Sequence, residues 1–422
     1  MPYGLHPTPV DPRMIATNRA VPIVLAAVLI DTIGFGIVIP ILPQLITDLG
    51  RVDLDQATRI SGYLLGVYAL TQFFAGPIIG NLSDRYGRRP VLIASMLSFA
   101  ADYALMAFAP TLAWLFLGRA VAGVAGAIYG PASAVLADVT PPEGRAKVFG
   151  LIGAAFGIGF IIGPAIGGLL SGLGPRAPFI AAAVLGLVNG VTMIFLMPES
   201  LAPENRRPFD WRSANVVGAF RPLFKSGDAG PLLLAWFFWQ LASNVYPATW
   251  SFWAAARFGW DGAAIGWSLA FVGLVMALVQ IFLTGPIIAR LGERRSAVLG
   301  LASGMGAFLA YPLITAGWQA YAIFLISGLS ALVFPAMNGL LSRLADASRQ
   351  GALQGGIGSM GSVAAIIAPL MLTQALANGV EAEFPGAAFL LAGILAALAL
   401  LIVVWKVLGR VPKKEADATP SG

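Results

Sequence analysis

Two related stretches decide the fold: residues 80–89, which read GNLSDRYGRR, and residues 285–295, which read GPIIARLGERR. Each follows a long apolar segment. Placing Gly87 opposite Gly292 also matches Gly80 with Gly285 and Arg85 with Arg290, whereas Asp84 falls opposite Ala289. The pattern indicates that the chain consists of two similar halves.

The composition is that of a membrane protein. Of the 422 residues, 58% are hydrophobic and only 11% are charged, whereas soluble domains are about one quarter charged. There is no cysteine and only one histidine, His6. These counts exclude a disulfide framework, a cysteine zinc site and a histidine metal cluster, so we expect no metal and no cofactor. No nucleophile–base pair or nucleotide-binding loop is visible, so we expect no enzyme activity.

Long apolar runs predict an all-α membrane protein with twelve spans, since a spanning helix needs about 20 apolar residues. The predicted spans are 21–45, 59–82, 90–109, 112–137, 147–172, 177–198, 229–253, 263–289, 296–315, 318–342, 350–378 and 384–408. The predicted domains are a six-helix half at 1–198, a cytoplasmic linker at 199–228, a second six-helix half at 229–408 and a cytoplasmic tail at 409–422. Two repeated halves favour a transporter, with the substrate between them near the bilayer midplane.

The basic residues predict the orientation. With the N-terminus inside, 21 of the 26 Lys and Arg residues fall in cytoplasmic segments, four fall in outer loops and Arg119 falls within a span. Positive charge in inner loops favours this arrangement, with both termini cytoplasmic in the inner membrane. It also accounts for the net charge of +6 without nucleic acid.

Three charged residues lie well inside predicted spans: Asp31 in span 1, Asp102 in span 3 and Arg119 in span 4. A charge at the bilayer centre costs about 2.5–3.5 kcal/mol on insertion scales, so such residues are candidates for function. At about 1.5 Å per residue, Asp31 and Arg119 reach similar depths, as do Asp102 and Arg119 in the hairpin around Thr111. An arginine near two carboxylates can keep one ionised while the other binds a proton. The alternative is a static structural ion pair.

Two further sequence motifs, one after span 2 and one in span 5, are also candidates for function. The loop after span 2 predicts a cytoplasmic gate made of Gly80, Asp84, Arg85, Gly87, Arg88 and Arg89. Asp84 is expected to hold a neighbouring helix N-terminus or an arginine, and otherwise the loop only sets topology. Span 5 carries Gly159, Gly163, Pro164, Gly167 and Gly168, whose spacing predicts a helix face that admits a close neighbour.

Sparse polar groups on an aromatic lining predict a substrate cavity for a bulky amphipathic molecule. Its expected residues are Gln72, Trp236, Gln240, Asn244, Gln280, Asn338 and Gln354. The alternative for each polar side chain is an interhelical hydrogen bond.

Residues 80–91 resemble the signature loop of the major facilitator superfamily, residues 115–123 its fourth-span motif, and residues 159–168 the antiporter motif of its drug/proton exchangers. Residues 29–43, 68–72, 101–103 and 350–355 resemble the tetracycline/proton antiporters. The resemblance implies that Asp31, Asp84 and Asp102 take part in exchange and that Arg119 serves proton transfer. The chain departs from those pumps at Ser303 in span 9, where they usually have an acid, and at Met276 in span 8, where they often have a histidine.

The function predicted from these features is proton-coupled efflux of an amphipathic organic compound, tetracycline-like or related, by a monomer that alternates access. The alternatives are a proton-coupled symporter or facilitator for a small nutrient, and a non-transporting membrane sensor. The expected partners are a small-molecule substrate, protons and the lipid bilayer, without nucleic acid.

Overall fold

The computed structural model describes residues 19–209, 229–343 and 350–408. Within these ranges the chain is helical and contains no strand. The predicted all-α class is confirmed.

The first six spans follow the prediction closely. Span 1 is Ala20–Val38, a 3₁₀ turn at Ile39–Ile41 and Leu42–Gly50; span 2 is Leu54–Tyr86; span 3 is Arg88–Ala107; span 4 is Leu112–Ala125 and Tyr129–Val139; span 5 is Pro142–Ser171; and span 6 is Ala177–Leu196. A single residue, Gly87, separates spans 2 and 3.

The last six spans contain more interruptions. Span 7 is Gly230–Ser243 and Val245–Phe258. Span 8 begins as Gly262–Leu278 and continues through a π-helical segment, Val279–Leu283, and spans 8 and 9 are then joined within Thr284–Ala310. Span 10 is Gly317–Ser327, a 3₁₀ segment at Gly328–Leu332 and Val333–Ser342; span 11 is Gln350–Glu381; and span 12 is Ala387–Leu408.

Among the described residues, ten segments are long and apolar enough to cross a membrane. One of them, Gly262–Leu313, has 52 residues, which at about 1.5 Å per residue is more than twice a hydrocarbon core of about 30 Å. It bends at Gly292, whose φ is 73°, so it supplies two crossings. Span 7 is not among the ten because Asn244 divides it into two helices of 14 residues. With these two adjustments the count agrees with twelve.

Packing divides the chain into two units. One comprises Met1–Val216 with Pro247–Gly273, and the other comprises Val217–Tyr246 with Leu274–Gly422. The second half of span 7 and the beginning of span 8 thus belong with the first six spans. The domain boundaries predicted from the sequence stay a prediction, and most of the expected linker and the whole tail lie outside the described residues.

The same pairs of spans pack together inside each unit. In the first unit, span 1 contacts spans 5 and 6, span 3 contacts spans 4 and 6, and span 2 contacts span 4. In the second unit, span 7 contacts spans 11 and 12, span 9 contacts spans 10 and 12, and span 8 contacts span 10. This agreement supports the internal repeat.

The backbone fixes the register of the repeat at a shift of 205 residues. Gly87 and Gly292 both have positive φ, 105° and 73°, a region that favours glycine. Pro164 and Pro369 both lie inside helices. The helix breaks at Ile39 and Asn244 also correspond. The two halves therefore share details of backbone geometry as well as hydropathy.

Candidate functional site

A buried ion pair lies in the first unit between spans 3 and 4. The Nη2 atom of Arg119 is 3.7 Å from the Oδ2 atom of Asp102. The two residues are only 4% and 1% exposed. They meet because spans 3 and 4 form an antiparallel hairpin, so positions at similar distance from Thr111 face each other.

The pair is poorly satisfied by hydrogen bonds. Both carboxylate oxygens of Asp102 and the Nε atom of Arg119 are buried without a hydrogen-bond partner among the described residues. Arg119 Nη2 donates to the sulfur of Met106 at 3.0 Å, a weak acceptor. A buried ion pair is costly unless its remaining polar atoms are satisfied, so it is weak support for stability alone.

Two tyrosine rings complete the surroundings of Arg119. Its guanidinium carbon is 5.7 Å from the ring centres of both Tyr68 and Tyr103, within the range of a cation–π contact. These rings were not selected as site residues from the sequence, although Tyr103 follows Asp102 and Tyr68 precedes Gln72 by one helical turn. The available signal was an aromatic residue next to a charged residue in a span, or one turn from a polar one.

Asp31 lies apart from this pair. It is 8% exposed on span 1, and within the described residues it forms no ion pair with Arg119 or any other base. The next residue, Thr32, shares a hydrogen bond of 3.1 Å with the hydroxyl of Tyr129 on span 4. The structure thus joins Asp102 to Arg119 and leaves the carboxylate of Asp31 unpaired.

Gln72 is bound to the break in span 4. Its Nε2 atom donates to the Gly126 carbonyl at 3.0 Å and to the Tyr68 hydroxyl at 3.2 Å. The carbonyl is available because the helix ends at Ala125 and restarts at Tyr129. Gln72 therefore connects span 2 to the part of span 4 that follows Arg119 along the chain.

The loop between spans 2 and 3 forms a compact ionic cluster. Arg88 pairs with Asp84, and its Nε atom is 3.3 Å from Asp138 Oδ2 at the end of span 4. Arg88 also donates to Ser83 Oγ at 3.2 Å. Arg85 instead lies over the ring of Tyr86, at 5.0 Å. Among the described residues, no atom lies within 4 Å of a Cβ built on Gly80, so the close packing expected there is not provided by them.

Glu199 is a member of this cluster that the sequence did not identify. Its two carboxylate oxygens accept the backbone N–H groups of Arg88, at 2.8 Å, and Arg89, at 3.3 Å. It therefore places a negative charge at the N-terminus of span 3, where unpaired N–H groups and the helix dipole favour an anion. A Cβ on Gly87 would collide with this carboxylate, so the glycine is required by contact as well as by φ. Arg89 donates to the Ile194 carbonyl at 2.5 Å.

The glycines of span 5 lie against span 1. A Cβ on Gly163 would be 2.7 Å from the Ile33 carbonyl oxygen and 3.0 Å from Gly36 Cα. Gly159 faces Thr32, Gly167 faces Ile37 and Pro40, and Pro164 faces Gly36. Gly168 faces Gly262 and Gly266 at the beginning of span 8. This backbone-to-backbone seam sits beside Asp31.

The second unit is aromatic where the first is charged. Trp236 is 4% exposed, its Nε1 atom has no hydrogen-bond partner among the described residues, and its ring lies 5.7 Å from Phe334. Asn244 Nδ2 donates to the Gln240 carbonyl at 2.7 Å, at the break in span 7. Ser303 Oγ donates to the Ile326 carbonyl at 2.6 Å.

The other expected cavity residues are more scattered. Gln280 is exposed within the π-helical segment of span 8, and Asn338 is half-buried in span 10. The side chain of Gln354 lies outside the described part of the chain. A separate cavity of about 650 Å³ lies among spans 2, 3 and 4 and is lined by residues such as Ile79, Tyr86 and Val121. None of the expected cavity residues lines it.

Comparison with known proteins agrees with this architecture. The family model of the Major Facilitator Superfamily matches residues 24–369 and, in a second match, residues 232–421. This chain belongs to the major facilitator superfamily. It is therefore a multi-pass membrane transporter of that fold.

The chain is similar to several curated members. It is 39% identical over 357 residues to the class C tetracycline resistance protein of Escherichia coli, a match that covers 85% of this chain and 89% of that relative. It is 38% identical to the class G tetracycline resistance protein of Vibrio anguillarum, over 90% of this chain and 96% of that relative. It is 28% identical to multidrug resistance protein 2 of Bacillus subtilis (strain 168), over 91% and 94%.

Solved structures support the fold alone. The human organic anion transporter MFSD10 (TETRAN) aligns with a TM-score of 0.67 at 23% identity, over 93% of this chain and all of that one. A point mutant of the nucleoside transporter NupG aligns with a TM-score of 0.74 at 12% identity, over 93% of this chain and all of that one.

Proposed function

We propose that this chain is a proton-coupled efflux antiporter that exports an amphipathic organic compound. The observation that carries the proposal is the Asp102–Arg119 pair buried between spans 3 and 4, with the unpaired Asp31 nearby. Among the described residues, both carboxylate oxygens of Asp102 and the Nε atom of Arg119 lack a hydrogen-bond partner. Intramembrane charge of this kind is costly, and proton relays are one of its established uses. The similarity to tetracycline resistance proteins over most of the chain supports the same direction.

Within this proposal the two carboxylates have different tasks. Asp102 faces Arg119 at 3.7 Å and holds that guanidinium in place. Asp31 has no such partner, so it is the acid that gains and loses a proton. The glycine seam between spans 1 and 5 lets the backbone beside Asp31 move.

The substrate is expected to be bulky and only partly polar. Spans 7–12 have no Asp or Glu away from their ends, and they place Trp236, Trp239 and Tyr246 near Gln240 and Asn244 along the chain. A sugar would need more hydrogen-bonding groups than these. Ser303 and Met276 remove two ionisable positions from this half, which favours a neutral or weakly charged compound.

The cluster of Asp84, Arg88, Asp138 and Glu199 is proposed as the cytoplasmic gate of the first half. It ties the start of span 3 to the ends of spans 2, 4 and 6. These contacts would let the cytoplasmic ends of the helices move as one body when access changes.

Orientation is also a proposal, with both termini in the cytoplasm. We expect single cysteines at Gly50 and Asn378 to react with an impermeant thiol reagent from outside, and one at Ser213 to react only after the cells are opened. The absence of native cysteine makes the background low. The reverse labelling pattern would contradict the assignment.

The transport proposal is tested in proteoliposomes with an imposed pH gradient. Tetracycline, ethidium and a hydrophobic phenol serve as probes, and a pH-sensitive dye reports protons. Antiport predicts that substrate and protons move in opposite directions and that the gradient drives at least one probe uphill. Movement in the same direction would identify a symporter, and movement of neither would identify a non-transporting protein; both results contradict the proposal.

A further inference from the structure

The loop between spans 8 and 9 carries an ion pair of its own. Arg343 Nε is 2.8 Å from Glu293 Oε2, and Arg343 Nη2 is 2.9 Å from Glu293 Oε1. The contact is bidentate, which adds geometric specificity to a charge-assisted hydrogen bond. It joins the first residue after the Gly292 bend to the end of span 10.

This pair is the repeat counterpart of Arg88 and Asp138. In each half the first charged residue directly follows the glycine with positive φ, and its partner lies 50 residues later at the end of the fourth span of that half. The polarity is opposite: arginine then aspartate in the first half, glutamate then arginine in the second. The two halves thus share the pairing and the position but not the signs.

The opposite polarity argues against a purely topological role. Basic residues in inner loops set orientation, but acidic residues contribute little to it. A glutamate among Arg290, Arg294 and Arg295 therefore needs another reason. The repeat suggests that the reason is the ion pair itself. Both halves have an attractive pair at this position, although the acidic and basic residues are exchanged.

Glu293 packs tightly against Gly339 of span 10. A Cβ on Gly339 would be 2.7 Å from both Cδ and Oε1 of Glu293. The glutamate therefore lies directly on the backbone of span 10, and a glycine is present where the carboxylate crosses it. The Arg343 side chain is 74% exposed, so the pair contributes little to folding stability. Any effect of the pair on transport must therefore come from the position in which it holds the spans 8–9 loop.

We infer that Glu293 and Arg343 are positioning residues that hold the spans 8–9 loop on the end of span 10 throughout the transport cycle. This second latch is the counterpart of the Arg88–Asp138 contact and rests on the proposed transport function. It adds Glu293 and Arg343 of the second half to the residues proposed to act in transport, each as the partner of the other.

The test exchanges the charges of this pair for those of the first half. E293R and R343D should each lower the turnover of tetracycline-driven proton exchange in proteoliposomes about three-fold or more, because each places like charges together. The double variant E293R/R343D reproduces the first-half arrangement and should return to within about two-fold of wild type. R294E is the matched control, since it reverses a neighbouring exposed charge without touching the pair, and it should stay near wild type.

Two readouts separate positioning from folding. The KM for tetracycline and the thermal unfolding temperature should stay near wild type in the single variants while turnover falls. Single variants with wild-type turnover, or a double variant that is no better than the singles, would overturn the inference.

If a charge reversal prevents folding, a cross-link gives the answer independently. In E293C/R343C, a short bis-methanethiosulfonate should join the two cysteines and should restore turnover, because the latch stays closed. No cross-linking, or loss of transport when the cross-link forms, would overturn the inference. Cross-linking reports the pairing even if tetracycline is not transported, so failure of the latch and failure of the proposed function are distinguished.

Discussion

The two repeat halves place opposite chemistry at equivalent positions. Where the first unit has Asp31, Asp102, Tyr103 and Arg119, the positions 205 residues later hold Trp236, Ala307, Phe308 and Phe324. The second set is almost fully buried in an aromatic cluster, with the Tyr246 ring 5.6 Å from Phe308 and 6.3 Å from Phe324. One backbone plan therefore supports an ionic centre in one half and an apolar one in the other.

This difference between the ionic and the apolar centre suggests that the two halves have different roles in transport. Matching charged centres in both halves would double the cost of intramembrane charge. The apolar half still packs with the same helix pairs, so the charges of the first half are not needed to build the fold. We propose that they serve transport, and the following substitutions test this.

The largest expected effect is at Asp31. Asp31→Asn removes the unpaired acid and should abolish uphill efflux while permitting downhill exchange, because substrate can still bind when the proton step is lost. Asp48→Asn, an exposed carboxylate in the last turn of span 1, is the control and should transport normally. Uphill transport by Asp31→Asn at the wild-type rate, in proteoliposomes with a pH gradient, would end the assignment.

The second test copies the apolar half into the charged half. D102A/R119F gives the first unit the residues found at 307 and 324. It should unfold at or above the wild-type temperature, since apolar replacement of a buried ion pair is often neutral or stabilising by about 1–4 kcal/mol, yet it should lose proton coupling.

The single variant R119F is its control. It leaves the Asp102 carboxylate buried without a partner and should lose about 3–5 kcal/mol of stability. Thermal unfolding in detergent and uphill transport in vesicles measure the two effects. A double variant as unstable as the single one would show that the pair is structural.

The third test concerns the glycine seam. The second half has Ala364, Ala368 and Leu372 where the first has Gly159, Gly163 and Gly167, so only the first half requires such close approach. Gly163→Ala would press on the Ile33 carbonyl and should cost about 1–3 kcal/mol, with slower transport. Gly157→Ala, where a Cβ meets no described atom within 4 Å, should behave as wild type in both assays.

The smallest expected effect is at Glu199, whose counterpart in the second half is Val404. Glu199→Gln keeps the shape but removes the charge at the span 3 N-terminus, which should cost about 0.3–1 kcal/mol. Glu204→Gln, an exposed acid a few residues later, is the control and should cost nothing measurable. Equal unfolding temperatures for the two variants would show that the charge of Glu199 is not used.

The sequence predicted features that depend on local pattern. Hydropathy located the spans, the antiparallel hairpin brought Asp102 to the depth of Arg119, and the alignment of Gly87 with Gly292 gave the repeat register. The breaks at Gly126 and Asn244 were not predicted, because apolar composition continues through them and only the backbone hydrogen bonds reveal them.

The long-range partners could not be read from the sequence. Glu199 lies 111 residues from Arg88 and stood at the edge of an expected linker, where an acid needs no explanation. The pairing of Arg119 with Asp102 rather than Asp31 depends on side-chain direction at the span 3–4 contact. Depth in the membrane alone made Asp31 and Asp102 equally good candidates for pairing with Arg119.

The one-residue turns at Gly87 and Gly292 have a consequence for biogenesis. Each bend, with the charged residues around it, is expected on the cytoplasmic side and leaves almost no free chain between the two spanning helices. We therefore expect the second helix of each pair, span 3 or span 9, to begin inserting as soon as span 2 or span 8 is in place, because so little chain separates the two helices.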